Sequence, residues 1–205
     1  FESMEVKKDV FTKLDAVCKP GAVLASNTSY LDVDEIAAMT SRPQDVIGLH
    51  FFSPAHVMRL LEIVVAAKTA PDVVATGFTL AKKLKKVPVR AGVCDGFIGN
   101  RILKTYRTAA DIMVLEGASP FQIDKALTDF GFAMGPYAVA DLAGIDIGYL
   151  TRKRLAATRK PGERWGEWGD VLYEMGRLGR KTGHGHYIYD DAAPKGRPDP
   201  EVEEI

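Results

Sequence analysis

Apolar positions along this chain follow two rhythms, and the rhythm changes once. Val6, Val10, Leu14 and Val17 recur at helical spacing among lysines and aspartates, which predicts a helix over residues 5–18, ended by Pro20-Gly21. Ala22 to Ala25 is a short apolar run that reads as a buried strand. Asp32 is placed to cap a short helix running to about Met39. Val46 to His50 and Leu61 to Val65 read as a second and a third strand. Pro71 to Lys86 reads as a helix with Val74, Phe78, Leu80, Ala81 and Leu84 on one side. Lys82, Lys83, Lys85 and Lys86 form its solvated end, the sign of charge that suits a helix C-terminus. Val87 to Ala91 is a fourth strand. Strands alternating with helices predict an α/β layer design around a mostly parallel sheet.

After Ala91 the period becomes helical. Gly96 to Glu116 reads as helix. Ser119-Pro120 has the form of an N-cap and first-turn pair opening a helix to about Phe130, where Gly131 closes it. Pro136 opens another to about Gly144, residues 145–159 continue as helix, 160–170 read as loop, and Val171 to Leu178 as a short helix. No internal repeat is visible. The expectation is one α/β unit over 1–92 joined near Val93 to an all-helical unit over 93–190. Residues 191–205, rich in Pro and acid, read as a tail or linker. Ile112, Met113, Leu115, Ile123, Leu127 and Phe130 read as core, with a dimer face as the alternative.

Composition narrows the function classes. The 205 residues, 46% hydrophobic, suffice for one full domain and part of another, each with its own core. Lys and Arg number 27 and so do Asp and Glu, so the basic excess expected of a nucleic-acid binder is absent. No apolar run approaches the length of a membrane span, and no signal peptide is visible. Cys18 and Cys94 lie in apolar segments and read as buried thiols. The first residue is Phe, which suggests a chain that starts inside a longer one.

The chemistry concentrates between Ser26 and Asn100. His50 ends a strand, and in open α/β sheets ligands gather at the carboxyl ends of strands. An imidazole there can serve as general base near neutral pH. Glu62 lies beside the third strand. If the intervening loop folds back, its carboxylate can bond the far ring nitrogen, fix the tautomer and stabilise the imidazolium. Ser29 follows a strand closely enough for its hydroxyl to reach the same crevice. Asn100 offers a donor and an acceptor from the start of the helical unit, which predicts a site between the units. Such a set can take a proton from an alcohol while another group takes a hydride. No Gly-x-Gly-x-x-Gly loop for the hydride acceptor stands in this sequence.

Four segments carry a resemblance: Ser26-Asn27-Thr28-Ser29-Tyr30-Leu31, Gly48-Leu49-His50-Phe51-Phe52-Ser53-Pro54, Asp95-Gly96-Phe97-Ile98-Gly99-Asn100-Arg101, and Met134-Gly135-Pro136 with Asp141, Gly144 and Asp146 following. With the closing Gly179-Arg180-Lys181-Thr182-Gly183-His184-Gly185-His186-Tyr187, they make the whole chain resemble the L-3-hydroxyacyl-CoA dehydrogenase family. The likeness is closest to the dehydrogenase part of its bifunctional, peroxisomal-type branch, in which an enoyl-CoA hydratase unit comes first. The resemblance implies a fold of class α/β, a partial Rossmann-type sheet followed by the family's all-α C-terminal domain. It implies NAD as cofactor and oxidation of an L-3-hydroxyacyl-CoA to the 3-ketoacyl-CoA in fatty-acid β-oxidation. It implies His50 as catalytic base with Glu62 as its partner, Ser29 and Asn100 on the substrate, and Glu2, Lys7, Ser53 and Lys181 on the cofactor, with no metal. Ser53 replaces an Asn of some branches, and Ala133 a Pro. Lacking the Gly-rich loop, the chain alone is expected to bind NAD poorly and turn over little substrate. Its sheet is expected to expose a raw edge that templates pairing.

Partners implied are the acyl-CoA substrate and either a second copy or other domains of the parent protein. The setting would be peroxisomal in a eukaryote or cytoplasmic in a bacterium. A same-superfamily dehydrogenase for another hydroxy acid, and a docking or dimerisation module, are the alternatives. His56 lacks companions for a metal site. His184 and His186 read as exposed imidazoles in a Gly-rich turn. Trp165 and Trp168 fit partial packing or a partner surface. Arg152, Lys153, Arg154, Arg159, Lys160 and Arg164 read as a solvated face, with the CoA 3′-phosphate or an adjoining domain as the alternative.

Overall fold

The computed structural model describes residues 2–205. The chain folds as two compact units, the first running through Leu103 and the second from Lys104 to Ile205.

In the first unit, α1 (Met4–Val17) precedes β1 (Leu24–Ser26), α2 (Val33–Ala37), β2 (Val46–Phe51), β3 (Leu60–Val65), α3 (Pro71–Lys83), β4 (Val87–Gly92) and the first turns of α4 (Gly99–Leu115). Asp32 caps α2 as expected, accepting from Asp34 N at 2.8 Å and Glu35 N at 3.2 Å. The strands lie in the order β1-β2-β3-β4. The β1–β2 and β3–β4 pairs are parallel, and β2–β3 is antiparallel. The loop over 52–59 turns the chain straight back, and that reversal rather than a helical crossover sets the antiparallel pair. Both faces of the central strands are covered. Phe11, Val33 and Ile36 pack with Leu24, Val46 and Val64 on one, and Val73 and Ala81 pack with Ile47, Leu49, Leu61 and Ile63 on the other. Burial on both faces explains why β2 and β3 read as continuous apolar runs.

The helix expected through Lys86 stops at Lys83. Lys85 N donates to Lys82 O and Lys86 N to Ala81 O, with Lys85 left-handed at φ 55°, the closing turn that glycine usually makes.

The second unit holds the rest of α4 with α5 (Pro120–Phe130), α6 (Pro136–Ala143), α7 (Ile145–Leu155) and α8 (Trp168–Glu174). Tyr137, Ile123, Ile145, Trp168 and Leu172 form its core. Ser119 stands at the N-cap of α5, but its hydroxyl bonds Glu203 instead of the helix. Asp124 of α5 caps α6 from outside, accepting from Tyr137 N and Ala138 N.

Two expectations fail in this unit. Residues 191–205 are not a tail. β5 (Tyr187–Asp190) pairs antiparallel with β6 (Ala193–Pro198), and α9 (Pro200–Glu203) follows. Val202 joins the core, and buried Arg177 is held by Asp199 and Glu201. Two acids of the segment read as a tail are the counter-charges of a buried guanidinium. His186 is likewise not exposed but fully buried. Its Nδ1 lies 2.7 Å from Asp141 Oδ1, and Asp141 also accepts from His186 N, Tyr187 N and Tyr189 Oη. Burial holds the imidazole below its ordinary pKa. Burial works against ionised Asp141, but the donors around it prevail and keep its carboxyl below the usual range.

The basic stretch is largely neutralised by carboxylates. Arg152 pairs with Asp170, Arg159 with Glu167, and Arg164 with Glu116. No helix among the described residues is long and apolar enough to cross a membrane, and no group of three potential metal ligands occurs among them.

Candidate active site

His50 and Glu62 are direct cross-strand partners in the β2–β3 pair, so both side chains leave the same face of the sheet. His50 Nδ1 and Glu62 Oε2 are 2.6 Å apart, with both side chains buried. Their twelve-residue separation is bridged by register, not by local spacing. Glu62 Oε1 accepts Ile98 N at 3.0 Å, just before α4, and Gly99 N at 2.8 Å, its first residue. A carboxylate at a helix N-terminus gains from those orphan donors and from the helix dipole. Burial opposes ionisation of Glu62. The imidazole and the two amides outweigh it, so the carboxyl stays below its ordinary pKa.

An ionised carboxylate only accepts hydrogen bonds, so Nδ1 carries the proton toward Glu62, and in the neutral ring Nε2 then presents a lone pair. Aromatic rings confine the imidazole. Phe52 lies 4.6 Å away between centroids and Phe97 lies 5.5 Å away. Phe97 is buried with φ 46°, a left-handed non-glycine residue at the turn that delivers the two amides. A Cβ on Gly99 would meet Phe52 Cζ at 2.6 Å, so a side chain there would push the ring or the amides out of place.

Ser29 follows β1 in a turn organised by Glu2. Glu2 Oε1 accepts Thr28 Oγ1 at 2.5 Å, Ser29 N at 2.8 Å and Tyr30 N at 3.0 Å. Glu2 therefore shapes the turn that carries Ser29. Lys7 lies half-buried near the start of α1, and Ser53 is exposed just past β2. Asn100 is half-buried in the first turn of α4, within the first compact unit. Lys181 lies in the second unit, where its ammonium pairs with Asp146.

Residue-level reading misses three contributors. Asn27 Oδ1 accepts Phe51 N at 2.9 Å and so ties the Ser29 loop to the residue after His50. Its only signal is a polar side chain one residue beyond a strand. The Ile98 and Gly99 amides have no side-chain signal. Lys86 reads as solvated, yet it bonds the main chain of the 52–59 loop.

Two family models match the chain. One is "3-hydroxyacyl-CoA dehydrogenase, NAD binding domain" over residues 1–94, and the other is "3-hydroxyacyl-CoA dehydrogenase, C-terminal domain" over 96–189. The chain is 51% identical to a peroxisomal bifunctional enzyme of Cavia porcellus, covering 98% of this chain and 29% of that protein. It is 40% identical to a fatty acid oxidation complex subunit alpha of Shewanella amazonensis, covering 96% of this chain and 28% of that one. The chain thus spans under a third of the length of these relatives. Among solved structures, (S)-3-hydroxybutyryl-CoA dehydrogenase from Ralstonia eutropha superposes with a TM-score of 0.83 at 32% identity, over 93% of this chain and 69% of that one. The two halves match consecutive domain models of one family, in the order that family carries them, and the chain belongs to the 3-hydroxyacyl-CoA dehydrogenase family.

Proposed function

We propose that the protein is an NAD-dependent L-3-hydroxyacyl-CoA dehydrogenase of fatty-acid β-oxidation and forms part of a multifunctional enzyme. The observation that carries this reading is the buried His50–Glu62 contact at 2.6 Å, with Glu62 braced by two helix amides. In this reading His50 Nε2 accepts the proton of the substrate's 3-hydroxyl. Glu62 keeps the proton on Nδ1 and balances the imidazolium that forms. Ser29 and Asn100 hold the 3-oxygen and the thioester end.

The residues present suit a nicotinamide cofactor. The C-terminal ends of parallel β1 and β2 lie side by side, tied by Asn27 and Phe51, and the loops leaving them carry Ser29 and Ser53. Glu2 gives one carboxylate oxygen to the turn beneath, and in this reading its second oxygen would accept from the cofactor. Lys7, Ser53 and Lys181 are assigned to the cofactor side on the family resemblance. NAD, when bound, supplies the hydride acceptor.

The Cavia relative is named peroxisomal and the Shewanella one is bacterial, so we assign a peroxisomal or a bacterial cytoplasmic setting according to source. Contacts with other domains of the parent protein, or with a second copy, belong to the same reading. The test is NADH formation by the full-length protein given NAD and an L-3-hydroxyacyl-CoA. Turnover that depends on the CoA thioester supports the proposal. Equal turnover of the free hydroxy acid favours a different dehydrogenase, and no turnover of either refutes it.

A further inference from the structure

We propose that Lys86 is a positioning residue that holds the 52–59 loop, the link between the strand of His50 and the strand of Glu62. Its consequence for kinetics rests on the dehydrogenase reading above; its mechanism rests on geometry alone.

At the end of α3 the left-handed turn at Lys85 reverses the chain, and Val87 N then donates to Arg59 O at 2.8 Å. Lys86 thereby sits immediately before β4, beside the end of the loop. Its ammonium donates to Met58 O at 2.7 Å and to Ala55 O. Lys82, Lys83 and Lys85 stay exposed, whereas Lys86 is half-buried. Residues 53–59 are all exposed, so the loop adds no side chain to either core. Its own turn is made by Val57 N and Met58 N, both bonded to Pro54 O. A charged donor that bonds two carbonyls of such a segment fixes its shape where packing does not.

The loop begins at the site. Phe52 packs on the His50 ring and touches the place where a Gly99 side chain would be. Ser53 follows directly and is the proposed cofactor contact. His50 and Glu62 are held otherwise, by strand register and by the α4 amides. Phe52 is half-buried against these groups whereas residues 53–59 are exposed, so freeing 53–59 acts on binding and leaves the acid–base pair in place.

The test uses Lys86→Met and Lys86→Arg in the full-length protein. Met keeps the stem and removes every donor; Arg restores donors for both carbonyls. In Lys86→Met the Val57 and Met58 amides exchange about tenfold faster than in the unaltered protein, and in Lys86→Arg they stay near native. The KM for NAD and for the acyl-CoA rises about fivefold to tenfold in Lys86→Met, while kcat stays within about twofold and the pH profile keeps its position. Unchanged exchange in Lys86→Met overturns the proposal. So does a fall in kcat at constant KM, or a shifted pH profile. If the unaltered protein shows no dehydrogenase activity, the functional reading fails, and the exchange rates alone decide the clamp.

Discussion

Replacing Glu62 with Gln keeps the shape of the side chain and removes one acceptor. The carboxylate takes three hydrogen bonds, from His50 Nδ1 at 2.6 Å, Ile98 N at 3.0 Å and Gly99 N at 2.8 Å. Gln offers one oxygen and an amino group. With the oxygen on the two amides, the amino group faces Nδ1, and the ring must carry its proton on Nε2. That nitrogen can then no longer take a proton from substrate. With the amide flipped, the amino group faces two part-buried N–H donors, which lose their acceptor at up to about 1–3 kcal/mol each. The first arrangement is therefore preferred, and with it the wrong tautomer. Such a tautomer error costs on the order of 10³–10⁴ in kcat, about 4–5.5 kcal/mol in barrier. The assay is NADH formation by the full-length protein from a short L-3-hydroxyacyl-CoA at saturating NAD, with a melting curve to establish that the variant folds. KM for the substrate should change by no more than about threefold, since the loss falls on the transition state. A folded Glu62→Gln variant that keeps kcat within about tenfold of native would refute the reasoning.

Lys85→Gly should stabilise the protein by about 1 kcal/mol, because φ 55° strains a side-chain-bearing residue and not glycine, and the urea midpoint should rise accordingly. A lower midpoint would count against the αL turn. Deleting 191–205 removes Asp199 and Glu201 from buried Arg177 and Val202 from the core, and should cost about 3–5 kcal/mol in denaturant unfolding; an unchanged midpoint would restore the tail reading. Stability should fall in two stages as pH drops. His186 is held below its ordinary pKa, so its contribution is complete above about 6.5 and is lost as pH falls below that value. Glu62 and Asp141 are also held low, so theirs is complete above about 4.5 and is lost as pH falls further. A urea midpoint that stays flat from neutral pH to the carboxylate range would contradict the burial of a neutral His186.

The element pattern was legible because it depends on local rules. Asp32 caps α2, Pro120 and Pro136 open α5 and α6, and Gly131, at φ 119°, closes α5. Each is a decision of one or two residues, made by backbone hydrogen bonds or allowed dihedrals. The four central strands were likewise visible as apolar runs. His50 and Glu62 were legible as candidates because each polar side chain interrupts such a run.

The sequence by itself thus determined where most helices and the strands of the four-stranded sheet fall, and which side chains are candidates for proton chemistry. Tertiary structure alone decided which of them meet. The β2–β3 register brings Glu62 onto His50, and the α4 amides brace the carboxylate from a segment 36 and 37 residues onward. It also decided that Lys86 bonds the 52–59 loop, that His186 is buried on Asp141, and that 191–205 folds. The physical reason is the same in each case. A polar side chain reads as solvated until a partner distant in sequence satisfies it, and burying charge becomes tolerable only when the fold supplies that partner.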